Sequence, residues 1–362
     1  RKEKVMDRLD QFLIPVPIDW HLHLRDGKAM QDVLRASVGD FGGAMVMPNL
    51  VPPVTSVEKA MKYQKEILGA LPPLSTFTPY MTLYLTDNTS PHEIRLAKEG
   101  YGHAIKGVKL YPAGATTNSD AGVTNLEKVY SVLEVMEEVG MPLQIHGEVV
   151  DDRVDVFDRE KVFIERTLAL LLLRFPKLRI VFEHVTTKEA VNFVLNTREG
   201  VVATITAHHL WHNRNALFKG GLQPDNYCLP VLKSEEHRLA LIEAATSGDR
   251  KFFLGTDSAP HAVGKKYCAG GCAGCYSAPV ALSVYAEVFE RDGALQTLED
   301  LKSFGRFMSL NGASFYGVPP SSKEILFSRG PWTVRDSYLF GGDKVTPFLA
   351  GQILQWDVGP QM

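Results

Sequence analysis

The stretch VPIDWHLHLR, residues 16–25, joins a short apolar run to two histidines that are separated by one residue. Successive side chains of a strand point to opposite faces, so His21 and His23 share a face and can reach one metal ion. Such a pair can also arise by chance or line a core. The stretch therefore predicts a strand, and the rest of the chain must decide whether the strand carries a metal site.

Seven further apolar runs rich in strand-forming residues follow, with helical segments among them. The predicted strands cover residues 16–21, 44–47, 77–85, 107–111, 143–146, 179–184, 201–206 and 252–256. Apolar residues three and four apart predict helices over 57–71, 126–139, 158–175, 188–196 and 235–247. This alternation predicts an α/β fold, a (β/α)₈ barrel of the TIM type. A doubly wound open sheet is the alternative, but no glycine-rich dinucleotide motif follows the first strand.

The chain shows no internal repeat, low-complexity segment or linker that would mark a second domain. We therefore expect residues 1–362 to form a single domain. From residue 319 onward, short apolar runs at 325–327, 332–334 and 353–356 predict extended segments that pack on the flank of the barrel.

Composition excludes several classes of function. The 362 residues are 45% hydrophobic and 22% charged with a net charge of −3, which gives no signature of nucleic-acid binding. The longest apolar run, residues 168–173, is far shorter than the roughly 20 residues that a bilayer requires. We expect a cytoplasmic protein with no membrane segment, although the chain begins with Arg1 and a removed organellar transit peptide is the alternative.

The four cysteines are too few for a disulfide scaffold in a chain of this length, so reduced thiols are expected. Cys228 stands apart, whereas Cys268, Cys272 and Cys275 form a C-x₃-C-x₂-C cluster in a stretch rich in glycine and alanine. A structural zinc would need a fourth ligand that the nearby sequence does not supply. A flexible loop with incidental thiols is the favoured interpretation.

Polar side chains end several of the predicted strands. His146 ends the fifth, His184 the sixth, and Asp257 follows the eighth. The carboxyl ends of barrel strands meet at one rim, so these side chains should converge with His21 and His23. Solvated strand ends explain one or two such residues but not all of them. Four imidazoles and a carboxylate form a ligand set suited to zinc or a similar divalent ion.

Lys109 lies at the end of the fourth predicted strand, where an unpaired ammonium is costly to bury. Its carbamate, formed with CO₂, would be an anion able to bridge two cations. Lys106 is the rival, but it lies three residues earlier and hence on the opposite face. An ordinary lysine whose charged end reaches solvent is the remaining alternative.

Further residues near this rim suit substrate binding. The guanidinium of Arg25 can hold a carboxylate through two parallel hydrogen bonds. Asn49 ends the second strand and His261 follows Asp257 by four residues. Thr116 and Thr117 lie in a small-residue stretch, 113–122, that suits a mobile lid. Each of these taken singly also fits a surface or loop-capping role.

Together these residues resemble the bacterial-type, single-function dihydroorotases of the amidohydrolase superfamily. The similarity extends over about residues 16 to 280, and the joint order of its motifs is more specific than any one of them. The motifs are DWHLHLRD at 19–26, VMPN at 46–49, PPVT at 52–55, KLYP at 109–112, ATTN at 115–118, HGE at 146–148, FEH at 182–184 and GTDSAPH at 255–261.

The resemblance implies two zinc ions, one held by His21, His23 and Asp257 and the other by His146 and His184. Lys109, as N6-carboxylysine, would bridge them, and Asp257 would be the catalytic residue. For the substrate, the resemblance assigns carboxylate binding to Arg25, Asn49 and His261, the closing lid to Thr116 and Thr117, and backbone contacts with the ring to Leu229 and Ala273. A homodimer is also implied.

The implied reaction is the reversible cyclisation of N-carbamoyl-L-aspartate to L-dihydroorotate in de novo pyrimidine biosynthesis. A sister cyclic amidohydrolase, of the dihydropyrimidinase, hydantoinase or allantoinase kind, would share the metals but would not need Arg25. A catalytically inactive scaffold relative is the alternative from another class, and the presence of all six predicted metal-site residues speaks against it.

Overall fold

Eight parallel strands, adjacent in chain order, form the centre of the computed structural model, which describes residues 9–362. A separate strand, β1 (Gln11–Pro15), precedes them. The barrel strands are β2 (Ile18–Leu22), β3 (Gly43–Val46), β4 (Thr78–Tyr84), β5 (Ile105–Leu110), β6 (Leu143–Ile145), β7 (Ile180–Phe182), β8 (Val201–Ile205) and β9 (Phe252–Leu254).

The ring closes just beyond the last strand. The backbone N–H of Asp257 donates to His21 O at 2.8 Å, and that of His23 donates to Ser258 O at 3.1 Å. The predicted barrel is confirmed, and the open-sheet alternative is wrong. Closure of the barrel places Asp257 beside the end of β2, although Asp257 and His21 are 236 positions apart in the sequence.

Helices surround the strands, and all five helices predicted from periodicity are present. The α-helices are α1 (Gly27–Asp40), α2 (Val57–Ala70), α3 (Pro91–Tyr101), α4 (Tyr130–Val139), α5 (Arg159–Phe163), α6 (Ala169–Arg174), α7 (Lys188–Asn196), α8 (Ala207–Trp211), α9 (Glu235–Thr246), α10 (Val263–Lys266), α11 (Ala281–Arg291), α12 (Leu298–Gly305) and α13 (Asn311–Tyr316). Single π-helical turns join α5 to α6 and α12 to α13. Shorter 3₁₀ turns occupy Leu126–Val129, Arg214–Leu217 and Pro224–Asn226.

The C-terminal segments pack on the flank of the barrel, as predicted, but with a partner that the sequence did not reveal. Strands β10 (Glu324–Thr333) and β13 (Ile353–Gln361) form an antiparallel sheet with β1, and β11 (Tyr338–Phe340) pairs with β12 (Asp343–Val345). Phe12 of β1 stacks on Phe327 with ring centroids 4.8 Å apart. The two ends of the chain are thus joined, while the single-domain organisation of residues 1–362 stays a prediction.

Aromatic side chains fill the amino-terminal end of the barrel. Trp20, which is fully buried, stacks on Tyr316 with centroids 4.6 Å apart and packs against Phe253. Gln144 donates a 2.8 Å hydrogen bond to the Tyr316 hydroxyl. A barrel filled at this end can open a cavity only at the other end, where the strand carboxyl ends lie. Within residues 9–362, none of the helices combines the length and the apolar character that crossing a bilayer would require.

Candidate active site

A narrow cavity opens at the carboxyl ends of the barrel strands, and most of the residues predicted for the site line it. Two predicted residues are not part of this lining: Lys109 is fully buried within β5, and His261 lies beside the cavity. The lining comprises His21, His23, Arg25, Asn49, Tyr111, Thr116, Thr117, His146, His184, Leu229, Asp257, Ala259, Ala273 and Gly274.

His21, His23 and Asp257 form the tightest group. Their candidate ligand atoms all lie within 4.8 Å of one another. Asp257 Oδ1 lies 3.0 Å from His23 Nε2 and 3.4 Å from His21 Nε2. His23 lies one residue beyond β2, yet it still faces the cavity as strand alternation predicts.

Glu183 and Asn49 orient the two histidine rings of this group. The sequence did not predict this role for either residue. His21 Nδ1 lies 2.8 Å from Glu183 Oε2, and Glu183 also accepts a hydrogen bond from Thr204. His23 Nδ1 lies 2.8 Å from Asn49 Oδ1. Partners on Nδ1 leave Nε2 as the metal-binding atom, which is the arrangement of oriented metal ligands. The one sequence signal for Glu183 was a carboxylate placed between the apolar run 180–182 and His184.

His184 lies between the other histidines. Its ring centroid is 5.0 Å from that of His21 and 4.9 Å from that of His146. His146 Nε2 lies 2.8 Å from Glu148 Oε2, a second carboxylate that the sequence analysis gave no role. Three site residues, Arg25, His184 and Asp257, adopt positive φ angles of 63°, 40° and 45°. Such strained backbone collects at functional sites, where the surrounding structure enforces it.

Lys109 is completely buried, and its Nζ has no hydrogen-bond partner among the described residues. It lies 5.2 Å from the ring centroid of Tyr111, whose hydroxyl also lacks a partner there. Burial lowers the pKa of Lys109 to about 8, against the opposing attraction of Glu183 and Asp257. Lys106, the rival lysine, is only partly buried, and its Nζ lies 5.9 Å from the Tyr80 ring centroid.

Protonation states suit metal binding. Burial lowers the pKa of His21, His23 and His184, so their rings are neutral and able to ligate. Burial acts to raise the pKa of Asp257, but attraction to His21, a hydrogen bond with His23 and the charge of Lys109 outweigh it, and the result is about 2. The donor set and the unpartnered buried atoms, which also include His184 Nδ1 and Glu183 Oε1, fit a divalent cation centre.

Arg25 lines the same cavity and His261 lies beside Arg25, and this part of the site is called the Arg25 end. Arg25 Nη2 lies 3.0 Å from His261 Nε2, and its Nε donates to Pro260 O at 3.0 Å. Tyr63 donates a hydrogen bond to the backbone carbonyl of Arg25. Burial lowers the pKa of His261 to about 2, with a further contribution from the charge of Arg25. His261 is therefore neutral, and Arg25 supplies the positive charge of this end.

The stretch 113–122 lies against the cavity as a cover. Thr117 Oγ1 donates to Ala273 O at 3.3 Å, and Asn118 Nδ2 donates to Asn49 O at 2.9 Å. Asn49 Nδ2 donates to Thr117 O at 3.0 Å. Asn49 therefore connects the histidine group to this cover, a position that its predicted role as a carboxylate ligand did not anticipate.

The cysteine cluster separates in the folded chain. Cys268 is exposed, Cys272 is partly exposed, and Cys275 is buried beside Cys228. The ligand atoms of Cys228, Cys275 and His208 lie within 4.8 Å of one another. The grouping depends on Cys228 and His208 from distant segments, which the spacing of the cluster does not reveal, and the role of the cysteines stays a prediction.

Comparison with known proteins gives the same family at every level. Residues 12–322 match the family model described as the amidohydrolase family. The chain is 56% identical over 343 residues to "Dihydroorotase" of Aromatoleum aromaticum. This alignment covers 94% of this chain and 97% of that protein. It is 55% identical over 350 residues to "Dihydroorotase, mitochondrial" of Oryza sativa, covering 96% and 84% respectively.

A solved structure agrees with this assignment. The crystal structure of dihydroorotase in complex with 5-fluoroorotic acid from Saccharomyces cerevisiae superimposes with a TM-score of 0.87 at 33% sequence identity. The match covers 98% of this chain and 100% of the yeast chain.

Proposed function

The chain belongs to the amidohydrolase family and, within it, to the dihydroorotases, and from that premise we propose how its site works. The proposed reaction is the reversible cyclisation of N-carbamoyl-L-aspartate to L-dihydroorotate, a step of de novo pyrimidine biosynthesis. The observation that carries it is a single cavity whose lining includes both a divalent-cation ligand set and the Arg25 guanidinium. A cyclic amide that bears a free carboxylate fits both groups at once.

We propose that His21, His23 and Asp257 hold one zinc ion, that His146 and His184 hold a second, and that carboxylated Lys109 bridges them. Carboxylation forms a bond between Nζ and CO₂ and releases one proton. The buried, unpartnered Nζ and its lowered pKa support this step, because the neutral amine is the form that attacks CO₂. Bound zinc would supply Lewis-acid chemistry, lowering the pKa of water and polarising a carbonyl group.

Asp257 carries the proton in this proposal. In the hydrolytic direction its carboxylate accepts a proton from the attacking water and delivers it to the ring nitrogen as the ring C–N bond breaks. In the synthetic direction it removes a proton from the carbamoyl nitrogen as that nitrogen attacks the carbon of the side-chain carboxylic acid. It then returns this proton to the departing hydroxyl group, which leaves as water.

The substrate carboxylate binds at the Arg25 end. Arg25 and His261 approach it together, and Asn49 can exchange the hydrogen bond that it donates to Thr117 for one to the substrate. Fixing the carboxylate holds the reacting atoms close, which supplies the positioning contribution of an oriented intramolecular reaction. Thr116 and Thr117 close over the ring, while the backbones of Leu229 and Ala273 contact it. Homodimer assembly and a cytoplasmic location stay predictions.

The direct test combines ultraviolet detection of L-dihydroorotate hydrolysis with zinc quantification on the purified chain. Activity together with two zinc equivalents is expected. A chain that binds zinc and hydrolyses hydantoin or dihydrouracil in preference to dihydroorotate would instead support the sister cyclic amidohydrolases. A chain with neither zinc nor activity would support the inactive scaffold.

Arg25→Met tests the carboxylate end separately. Loss of a charge-assisted bidentate contact, worth about 1.5–3 kcal/mol, should raise the KM for dihydroorotate by roughly 10- to 100-fold and leave the zinc content unchanged. The activity of this variant on a cyclic amide without a carboxylate should not fall by the same factor. Unchanged kinetics with dihydroorotate would show that Arg25 does not bind the carboxylate.

A further inference from the structure

Lys266, at the end of α10, is buried, whereas the adjacent Lys265 is exposed. Its Nζ donates to three backbone carbonyl oxygens, those of Tyr227 at 3.0 Å, Cys272 at 3.1 Å and Gly274 at 2.7 Å. A lysine ammonium has three hydrogen-bond donors. All three are therefore used, and every partner is main chain rather than an acidic side chain.

These carbonyl groups belong to two neighbouring segments that each contribute to the cavity wall. Tyr227 precedes Leu229 by two residues, and Cys272 and Gly274 flank Ala273. Leu229, Ala273 and Gly274 all line the cavity. The N–H of Gly274 also donates to Tyr227 O at 2.9 Å. Tyr227 O therefore accepts one hydrogen bond from the Lys266 ammonium and another from the segment around Ala273.

The wall that Lys266 holds is also in contact with the rest of the substrate machinery. The carbonyl oxygen of Ala273 lies 2.9 Å from His261 Nε2 and accepts a 3.3 Å hydrogen bond from Thr117. A displacement of Ala273 would therefore reach both the cover and the carboxylate end. Space for such a displacement is limited, because a Cβ built on Gly274 would lie 2.6 Å from Ala259 O.

The chemistry of this cluster requires an ammonium. Three buried carbonyl groups that converge on one point repel one another and lose their water unless a multiple donor occupies that point. Methionine would fill a similar volume without donating. Arginine keeps the charge, but its planar fork does not reproduce the three directions of an ammonium.

We propose that Lys266 is a positioning residue for substrate recognition, which holds the backbones of Leu229 and Ala273 at the separation that accepts the pyrimidine ring. It touches neither substrate nor metal, and it acts only through these two wall segments. The inference rests on the proposed function, because the ring is the ligand that these walls would contact.

The test compares Lys266→Met and Lys266→Arg with the exposed control Lys265→Met. Lys266→Met should raise the KM for dihydroorotate about tenfold, on the order of one lost charge-assisted hydrogen bond, with kcat within about threefold and zinc content unchanged. The Kd for 5-fluoroorotic acid, measured by calorimetry without turnover, should rise by the same factor. Lys266→Arg should give an intermediate KM, and Lys265→Met should match the wild type.

A purely structural role gives a different result. It would lower Tm and the active fraction, and hence kcat, while KM and the Kd for 5-fluoroorotic acid stayed at wild-type values, and that outcome overturns the proposal. If Lys266→Met does not fold, a wild-type KM in Lys266→Arg overturns it instead. A wild-type chain that failed to hydrolyse dihydroorotate would count against the proposed function, which distinguishes the two failures.

Discussion

Two groups of three buried side chains bring metal-ligating atoms within 4.8 Å of one another in the described part of the chain. One is the His21, His23 and Asp257 group at the rim, and the other is the group of His208, Cys228 and Cys275. In the rim group, Glu183 and Asn49 each lie 2.8 Å from a histidine Nδ1, which turns both Nε2 atoms toward Asp257. Around His208, neither ring nitrogen has a partner among the described residues.

The thiols of the second group also make hydrogen bonds to backbone carbonyl groups. Cys228 Sγ donates to Pro230 O at 3.3 Å, and Cys275 Sγ donates to Asp225 O at 3.3 Å. A hydrogen bond with Cys275, followed by burial, raises the pKa of Cys228. The thiolate is the form that binds metal, so the raised pKa of Cys228 disfavours metal binding by this thiol. We therefore expect metal at the rim group rather than at the second group, because partners on Nδ1 orient the rim histidines and the pKa of the Cys228 thiol is raised.

The largest effect is expected for Lys109, the residue proposed to bridge the two zinc ions. Lys109→Ala should lower bound zinc below two equivalents and reduce kcat/KM by at least about 10³-fold, because metal-assisted catalysis supplies several kcal/mol to the reaction. A small carboxylic acid such as propionate should partly restore both, since it can occupy the space of the carbamate. The control is Lys106→Ala, in which zinc and activity should be unchanged. Full zinc content in Lys109→Ala would refute the bridging carbamate.

A smaller effect is expected when orientation alone is disturbed. Glu183→Gln keeps the shape of the side chain but removes the carboxylate beside His21 Nδ1, and loss of such a partner reduces zinc affinity or activity by about 10- to 100-fold. Competition with a chelator measures the affinity. Glu160→Gln is the matched control, because Glu160 is equally buried but bonds to Thr186 and Thr187. Equal loss of zinc in both variants would mean that general destabilisation of the protein causes the effect.

The smallest effect is expected in the second group. Cys228→Ala should retain two zinc equivalents and a kcat/KM within about twofold of the wild type, while the free energy of unfolding falls by about 1 kcal/mol for the lost buried thiol. Zinc quantification and denaturant titration provide the measurements. Loss of one zinc equivalent in this variant would mean that the second group binds metal and that the contrast drawn from orientation is wrong.

Much of the barrel could be predicted because its signals are local. Each strand is a short apolar run, and each helix carries its own periodicity, so eight strands and five helices were recognised without knowledge of their neighbours. The pairing of β1 with β10 was missed, because residues 11–15 carry no signal for a partner more than 300 residues away. Helix α1, which begins two residues after Arg25, was also missed, and its N-cap residue Asp26 makes no side-chain hydrogen bond there.

The sequence by itself determined the type of fold and the residues from which the site is built. Strand periodicity placed His21, His23, His146, His184 and Asp257 at strand ends, and in a parallel barrel all such ends meet at one rim. Only the tertiary structure decided which atoms face one another. It placed Glu183 next to the Nδ1 atom of His21 and Lys266 against backbone carbonyl groups of the cavity wall. It also brought Cys228 close to His208. The physical reason is that orientation and burial depend on contacts between segments that are distant in the chain, whereas periodicity records only neighbours along it.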